Sequence, residues 1–334
     1  MRNFDYNRLK YCKWDGEVLG LIGAIHEYKG RQELFLRQKP AALDKLVEIA
    51  KVQSTESSNK IEGVVTTATR IKQLCSQKTT PRNRDEEEIS GYRDALSLIH
   101  ENYGYIPIKP SYILQLHRVL YGYSQRDIGG RFKNTQNYIA ETGDNGTQII
   151  RFMPLAPYET PMAVEAICES YNREADNGEV DPLILIPAFI LDFLCIHPFN
   201  DGNGRMSRRL TILLLYRAGY AVGKYVSLES KIEKTKAGYY DALGKSDVNW
   251  NSGENDITPF IKYLLKIVLA AYREFEEKVA ITEGKVSAAG MVRKAVYNKI
   301  GKFTKNDIME SVPSISKSSV ENALKVLLQE GVIG

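Results

Sequence analysis

Fourteen residues, IHPFNDGNGRMSRR (196–209), concentrate the chemistry of this 334-residue chain. His197 is the one group among them whose ordinary pKa, about 6.5, permits proton transfer near neutrality. Gly202 and Gly204 allow positive φ and let backbone N–H groups come close to a ligand. A helix starting after them presents unpaired N–H groups and the positive end of its dipole. Arg205 and Arg208, on the first turn of that helix, complete a cradle for polyphosphate. Asp201 is a hard oxygen ligand beside the same anion, suited to Mg²⁺ bridging phosphate oxygens. Each residue alone has a bland reading: a histidine at a helix end, a Gly-Asn-Gly turn, a solvated basic face. Their combination points to an anion-binding enzyme site.

The elements that must hold this cluster are helical. LILIPAFILDFLCI (183–196) is the most apolar run of the chain. Asp181-Pro182 gives it an N-cap and a proline at the first helical position. It should end by Ile196 or His197, since Pro198 disfavours the α conformation in the residue before it. A second helix is expected over about 205–218, stopping at Gly219. Upstream, Leu43, Leu46, Ile49, Ala50 and Val52 recur at helical spacing within 41–62, and Gly63 ends the segment. Further helices are expected over 86–103 and 110–122. A hairpin is read in NTQNYIA (134–140) and TQIIRFM (147–153), joined by ETGDNG. The loop 76–88 is a candidate boundary, and ITEGKVSAAG (281–290) reads as a linker. The expected organisation is therefore an N-terminal helical region (1–85), a core (86–275) and a small module (285–334).

The totals set limits. Hydrophobic residues make up 43% and charged residues 26%, an ordinary globular balance, and the net charge of +4 is too small to announce nucleic acid. Cys12, Cys75, Cys168 and Cys195 form no CxxC pair, which argues for reduced thiols in a cytoplasmic setting. Cys195, two residues before His197, is read as a buried, inert thiol of the apolar helix. The apolar run carries Pro187 and Asp192 and is shorter than the roughly 20 residues of a membrane span, so no membrane association is expected.

The loop resembles the signature of the Fic (Fic/Doc) family, H-x-F-x-(D/E)-G-N-(G/K)-R-x-x-R, at His197, Phe199, Asp201, Gly202, Asn203, Gly204, Arg205 and Arg208. GRFKNTQNYIA (130–140) and KTKAGYYDAL (234–243) are similar to the family's approach to a β-hairpin flap and to its tyrosine-bearing helix. The resemblance implies a mainly α, Fic-type helical core with a β-hairpin flap, while three short helical patterns in 285–334 suggest a winged-helix-like C-terminal module. It implies transfer of AMP from ATP to a protein hydroxyl, with His197 as general base and Asp201 holding Mg²⁺. It further implies phosphate contacts from Gly202, Asn203, Gly204, Arg205 and Arg208, with Tyr239 lining the nucleotide pocket and Phe199 as a buried anchor. Asn137, Tyr138, Ile139 and Ala140 would belong to a flap that takes a target segment by strand addition. Relatives that phosphorylate their targets carry lysine where this chain has Gly204, which argues against a kinase.

SSNKIEG (57–63) matches a further family pattern, (S/T)-x-x-x-E-(G/N), as Ser58, Glu62 and Gly63. In relatives it ends an inhibitory helix, and Glu62 would pair with Arg208 in place of the γ-phosphate. Some relatives use this glutamate to remove AMP, so a de-AMPylating hydrolase is an alternative. A nucleotide-sensing DNA-binding regulator is another, because 285–334 carries eight Lys/Arg against four acids. Against DNA contact, Val320, Leu324, Leu327 and Leu328 make the module's last helix read as core. A protein-interaction or dimer-positioning role fits it better, and a homodimer is the expected assembly.

Overall fold

The computed structural model describes residues 2–38, 40–142, 147–282, 287–297, 303–312 and 315–333. Two compact units divide the chain, Met1–Tyr272 and Arg273–Gly334. The first begins with α1 (Gly16–Gln38), α2 (Pro40–Ile61), α3 (Ala68–Cys75), α4 (Arg84–Asn102) and α5 (Pro110–Leu120). A hairpin, β1 (Ile139–Thr142) and β2 (Gln148–Phe152), precedes α6 (Thr160–Asn177), α7 (Pro182–Ile196) and α8 (Asn203–Arg217). α9 (Leu228–Lys234), α10 (Lys236–Ser246) and α11 (Thr258–Thr282) follow. The second unit holds α12 (Ala288–Tyr297), α13 (Lys305–Ser311) and α14 (Lys317–Gln329). No helix among the described residues is long and apolar enough to cross a membrane.

α7 is the axis of the first unit. Every residue from Leu183 to Ile196 is buried, as its uninterrupted apolarity requires. The Asp181 carboxylate caps it, accepting from the Leu183 N–H at 2.8 Å. Asp192, the one acid inside it, is answered by the Trp250 indole N–H at 2.6 Å and by Arg2 at 3.3 Å. α6 and α8 pack on its two sides, and α2 lies against α4 and α9. The loop at 76–88 therefore does not divide the fold. α2 buries Leu43, Leu46 and Ala50, and the region 1–85 belongs to the same unit as the core.

The hairpin departs from its expected position. Its first strand begins at Ile139 and runs to Thr142, antiparallel to Gln148–Phe152, with an irregular register between Ile139 and Ala140. Residues 134–138 are not strand, because their polar groups bond to the 196–203 loop instead of a ladder. Asn134 accepts from Asn200, Thr135 donates to Asn200, and Asn137 reaches two loop carbonyls. Part of the connector, 143–146, lies outside the described residues.

Among its described residues the second unit takes in the end of α11 and then α12, α13 and α14 in the expected order, with no strand beside them. Its core gathers Val292, Val296, Ile308, Val320, Ala323 and Leu327. Leu328, expected in that core, is exposed, and Ala323 takes a buried place on the face that passes through 320 and 327. A helical step of about 100° turns position 328 away from that face. The linker expected over 281–290 is shorter than read, since α11 runs to Thr282 and α12 starts at Ala288.

One close approach in the first unit is demanding. A Cβ on Gly91 of α4 would stand 1.9 Å from the Leu120 carbonyl oxygen at the end of α5. Gly91→Ala must push the helices apart, and we expect a loss of about 1–3 kcal/mol in urea unfolding. An unchanged midpoint would show that α4 and α5 do not meet this closely.

Candidate active site

The loop between α7 and α8 is held in an unusual shape. His197 ends α7 in the left-handed region, φ 53° and ψ 62°, with its N–H donating to the Phe193 carbonyl. Such a conformation at a non-glycine residue costs about 1–3 kcal/mol and persists only where the surroundings impose it. Pro198 excludes the α alternative, and the flap approach supplies the rest. Four successive carbonyls, of residues 196–199, are all received by Lys133 and Asn137. The Lys133 ammonium donates to Ile196 O at 2.9 Å and its backbone N–H to Pro198 O at 2.8 Å. The Asn137 amide donates to His197 O and Phe199 O, while its oxygen accepts from Lys133. Asn137 thus seats the loop, whereas Ile139 lines the cavity beside it and Tyr138 is exposed.

Two further residues brace the same loop. Asn203 folds its amide back onto Phe199, accepting from the N–H at 2.9 Å and donating to the carbonyl at 2.7 Å. Its side chain is committed to the loop, leaving its backbone N–H for a ligand. His117 of α5 stacks on Phe199 with centroids 3.7 Å apart and planes 4° apart. It accepts from the Gly130 N–H on Nδ1, so Nε2 carries the proton and donates to the Asp201 carbonyl at 3.1 Å. Burial pushes His117 down to about 4, consistent with that neutral form.

His197 is neutral for the same reason. Burial pushes it down to about 4, with the Leu194 carbonyl and Glu62 opposing and Lys133 assisting. Nδ1 lies 3.2 Å from Leu194 O. A carbonyl only accepts, so Nδ1 is the protonated nitrogen and Nε2 keeps its lone pair. That is the form a general base needs. Cys195, two residues away, is buried, and desolvation drives its thiol well above its ordinary range. It is no nucleophile.

Gly202, φ +85°, caps the start of α8, and no side chain caps the first N–H groups of the helix. Arg205 is buried between Glu88 at 2.5 Å and the Tyr121 hydroxyl at 2.9 Å, and its Nε has no partner among the described residues. An orphaned buried donor beside uncapped N–H groups fits an anion. Asp201 is half-buried, and burial is outweighed at its carboxyl by Arg126 and Arg205, which hold it below the ordinary carboxylate range. No group of three or more His, Cys, Asp or Glu able to hold a metal exists among the described residues. A lone ionised carboxylate next to an anion site suits a cation that takes its remaining ligands from phosphate and water.

Arg208 is buried and bonds to α2 and to the residue just after it. Its Nε donates to the Ser58 hydroxyl at 2.8 Å, and its Nη2 to Ser58 O at 3.0 Å and to Glu62 at 2.7 Å. Burial opposes both charges, yet the pairing keeps Glu62 below and Arg208 above their ordinary values. A Cβ on Gly204 would stand 2.3 Å from the Glu62 carboxylate, so a larger residue there would make that side chain shift. Gly63, φ +80°, turns the chain out of α2. Below this pair lies a cavity of about 150 Å³ lined by Glu62, His197, Arg208 and Tyr239, as well as by Tyr240 and Ile139. Arg151 of β2 donates to both Asp247 carboxylate oxygens, at 2.7 and 2.9 Å, and ties the hairpin to the end of α10.

Glu88, His117, Arg126 and Lys133 escaped sequence reading. His117 lies beside Ile113, Leu116 and Leu120 on the buried side of α5, a signal that could have drawn notice. Glu88 ends an acidic run that reads as helix-start charge. If the 133–137 brace seats the loop, Asn137→Ala leaves the His197 carbonyl without its donor and Phe199 O with the Asn203 amide alone. The expected cost is about 1–3 kcal/mol in urea unfolding. An unchanged stability would remove the flap approach from the loop's support.

Known proteins are similar to this chain. The Fic/DOC family model matches residues 107–215. Protein adenylyltransferase fic-1 of Caenorhabditis elegans is 28% identical over 188 residues, 55% of this chain and 32% of its own. Protein adenylyltransferase Fic of Drosophila grimshawi is 30% identical over 152 residues, 46% of this chain and 27% of its own. The chain spans about a third of the length of such curated relatives. Among solved structures, a Fic domain containing signaling protein from Bacteroides thetaiotaomicron aligns with TM-score 0.62 at 24% identity, covering 80% of this chain and 98% of that one. Fic-1 (residues 134–508) from C. elegans aligns with TM-score 0.63 at 21% identity, covering 79% and 73%. Residues 107–215, which hold His197, the cradle and the flap approach together, are thus a domain of the Fic/DOC family.

Proposed function

We propose that the chain is a protein adenylyltransferase, transferring AMP from ATP to a Tyr, Thr or Ser hydroxyl of a protein, and that Glu62 restrains it. The observation that carries this reading is the neutral, left-handed His197 beside the uncapped start of α8, with Glu62 seated on Arg208. In this reading His197 Nε2 takes the proton of the target hydroxyl as its oxygen attacks the α-phosphorus. The bond from that phosphorus to the bridging oxygen breaks, and pyrophosphate leaves. The N–H groups of Asn203 and Gly204 face the growing negative charge on the phosphoryl oxygens, and Arg205 adds its free Nε. Mg²⁺ held by Asp201 would neutralise phosphate charge and orient the leaving group. The hairpin would hold the target backbone by strand addition.

Restraint follows from competition for one guanidinium. While Glu62 holds Arg208, the γ-phosphate lacks its partner and the α-phosphate is not aligned for attack. α2 is kept in place by α9 and α10. Ser54 and Ser57 donate to Glu229 and Glu233, Lys60 pairs with Glu233, and Lys236 donates to the last helical carbonyl, Ile61 O, at 2.7 Å. Glu62 also shares the cavity with His197. That favours a second reading in which it positions water to remove AMP from a modified protein.

The test uses ATP labelled at the α- or the γ-phosphate with Mg²⁺, given to the natural chain, to Glu62→Gly and to Glu62→Gly/His197→Ala. Label should enter protein from the α-position alone, rise roughly 5- to 150-fold on Glu62→Gly, and vanish without His197. Label from the γ-position would mean a kinase. No transfer, with AMP released from a modified protein by the natural chain alone, would favour the hydrolase.

A further inference from the structure

Asp201, the carboxylate that suits a cation, is already occupied. Its Oδ2 accepts from Arg126 Nη1 at 2.8 Å, Arg84 lies 3.8 Å away, and Oδ1 is 3.5 Å from Arg205. These arginines are not equivalent. Arg205 is buried and bound by Glu88, so it stays where it is. Arg84 is itself held by Glu88 at 2.8 Å. Arg126 is 42% exposed, on the segment between α5 and the hairpin, and Asp201 is its recorded ionic partner. Were Asp201 to hold a divalent cation, whose double charge would compete with a single guanidinium, Arg126 would lose this partner and become available to a bound phosphate.

The local charges show what that released cation is for. Three acids, Glu62, Glu88 and Asp201, face four arginines, Arg84, Arg126, Arg205 and Arg208. Glu88 neutralises one arginine of the Arg84–Arg205 pair, and Glu62 neutralises Arg208. Breaking the bond at the α-phosphorus sends negative charge onto the departing β- and γ-phosphates, where an unpaired guanidinium is worth most. We propose that Arg126 is a substrate-binding residue that changes partner. It guards Asp201 before the cation arrives, then grips the phosphates that leave as pyrophosphate. This inference rests on the adenylyltransferase reading.

Calorimetric binding with Mg²⁺ tests it, using the Glu62→Gly chain with and without Arg126→Gln. The probes are AMP and an ATP analogue whose α–β bridge is methylene. Arg126→Gln should weaken the analogue about 10- to 100-fold, the span of a lost charge-assisted contact, and leave AMP within about 2-fold. Arg126→Lys should recover part of the loss, since a point charge replaces the fork. Equal affinities for the analogue in both chains would overturn the exchange. So would equal weakening of AMP, which would make Arg126 only a support of the loop. Failure of the Glu62→Gly chain itself to bind either nucleotide would overturn the adenylyltransferase reading and this inference together.

Discussion

A buried guanidinium needs a counter-charge, and in this chain the answer to that need joins two distant segments. Arg208 is 3% exposed, far too desolvated to stand alone, and α2 supplies both oxygens of Ser58 and the turn after it Glu62. Removing one partner of such a pair costs about 3–5 kcal/mol, because the remaining charge stays buried. A phosphate is the natural substitute for that carboxylate. In the proposed reading, the same electrostatic demand that ties the end of α2 to α8 within the first unit sets up a competition between protein and ligand for one residue.

The loop carrying His197 obeys a different constraint, geometric before it is electrostatic. Its left-handed turn is unfavourable in isolation, and five groups hold it: the Lys133 ammonium and N–H, the Asn137 amide, the Asn203 amide and the His117 ring. α7 anchors one end in the core and α8 the other. The rigid seat means that the imidazole and the N–H groups of α8 need little rearrangement when a ligand arrives, which is the economy of a preorganised site.

What was legible in the sequence follows from how local each interaction is. His197, Asp201, Gly202 and the two arginines lie within twelve positions, so their types and spacing already imply the cradle. α7 was readable from its composition, and its end from Pro198. The hairpin was read five residues early, because alternation in NTQNYIA cannot reveal that those side chains bond to a loop some 60 residues away. Glu88 meets Arg205 across 117 positions and Arg126 meets Asp201 across 75, and neither pairing has a local signature. Glu62 was found only through a motif resemblance, since a glutamate before a glycine carries no sign of the arginine 146 positions away. The boundary sought at 76–88 rested on composition, which does not record that α2 packs on α4 and α9.

The competition for Arg208 is most directly tested by measuring ATP and ADP affinities, with Mg²⁺, for the natural chain and for Glu62→Gly. If Glu62 occupies the place of the γ-phosphate, its removal should tighten ATP roughly 5- to 150-fold while ADP, which lacks that phosphate, changes little. Equal changes for the two nucleotides, or none for ATP, would contradict the account, because Arg208 would then not be the residue over which helix and nucleotide compete.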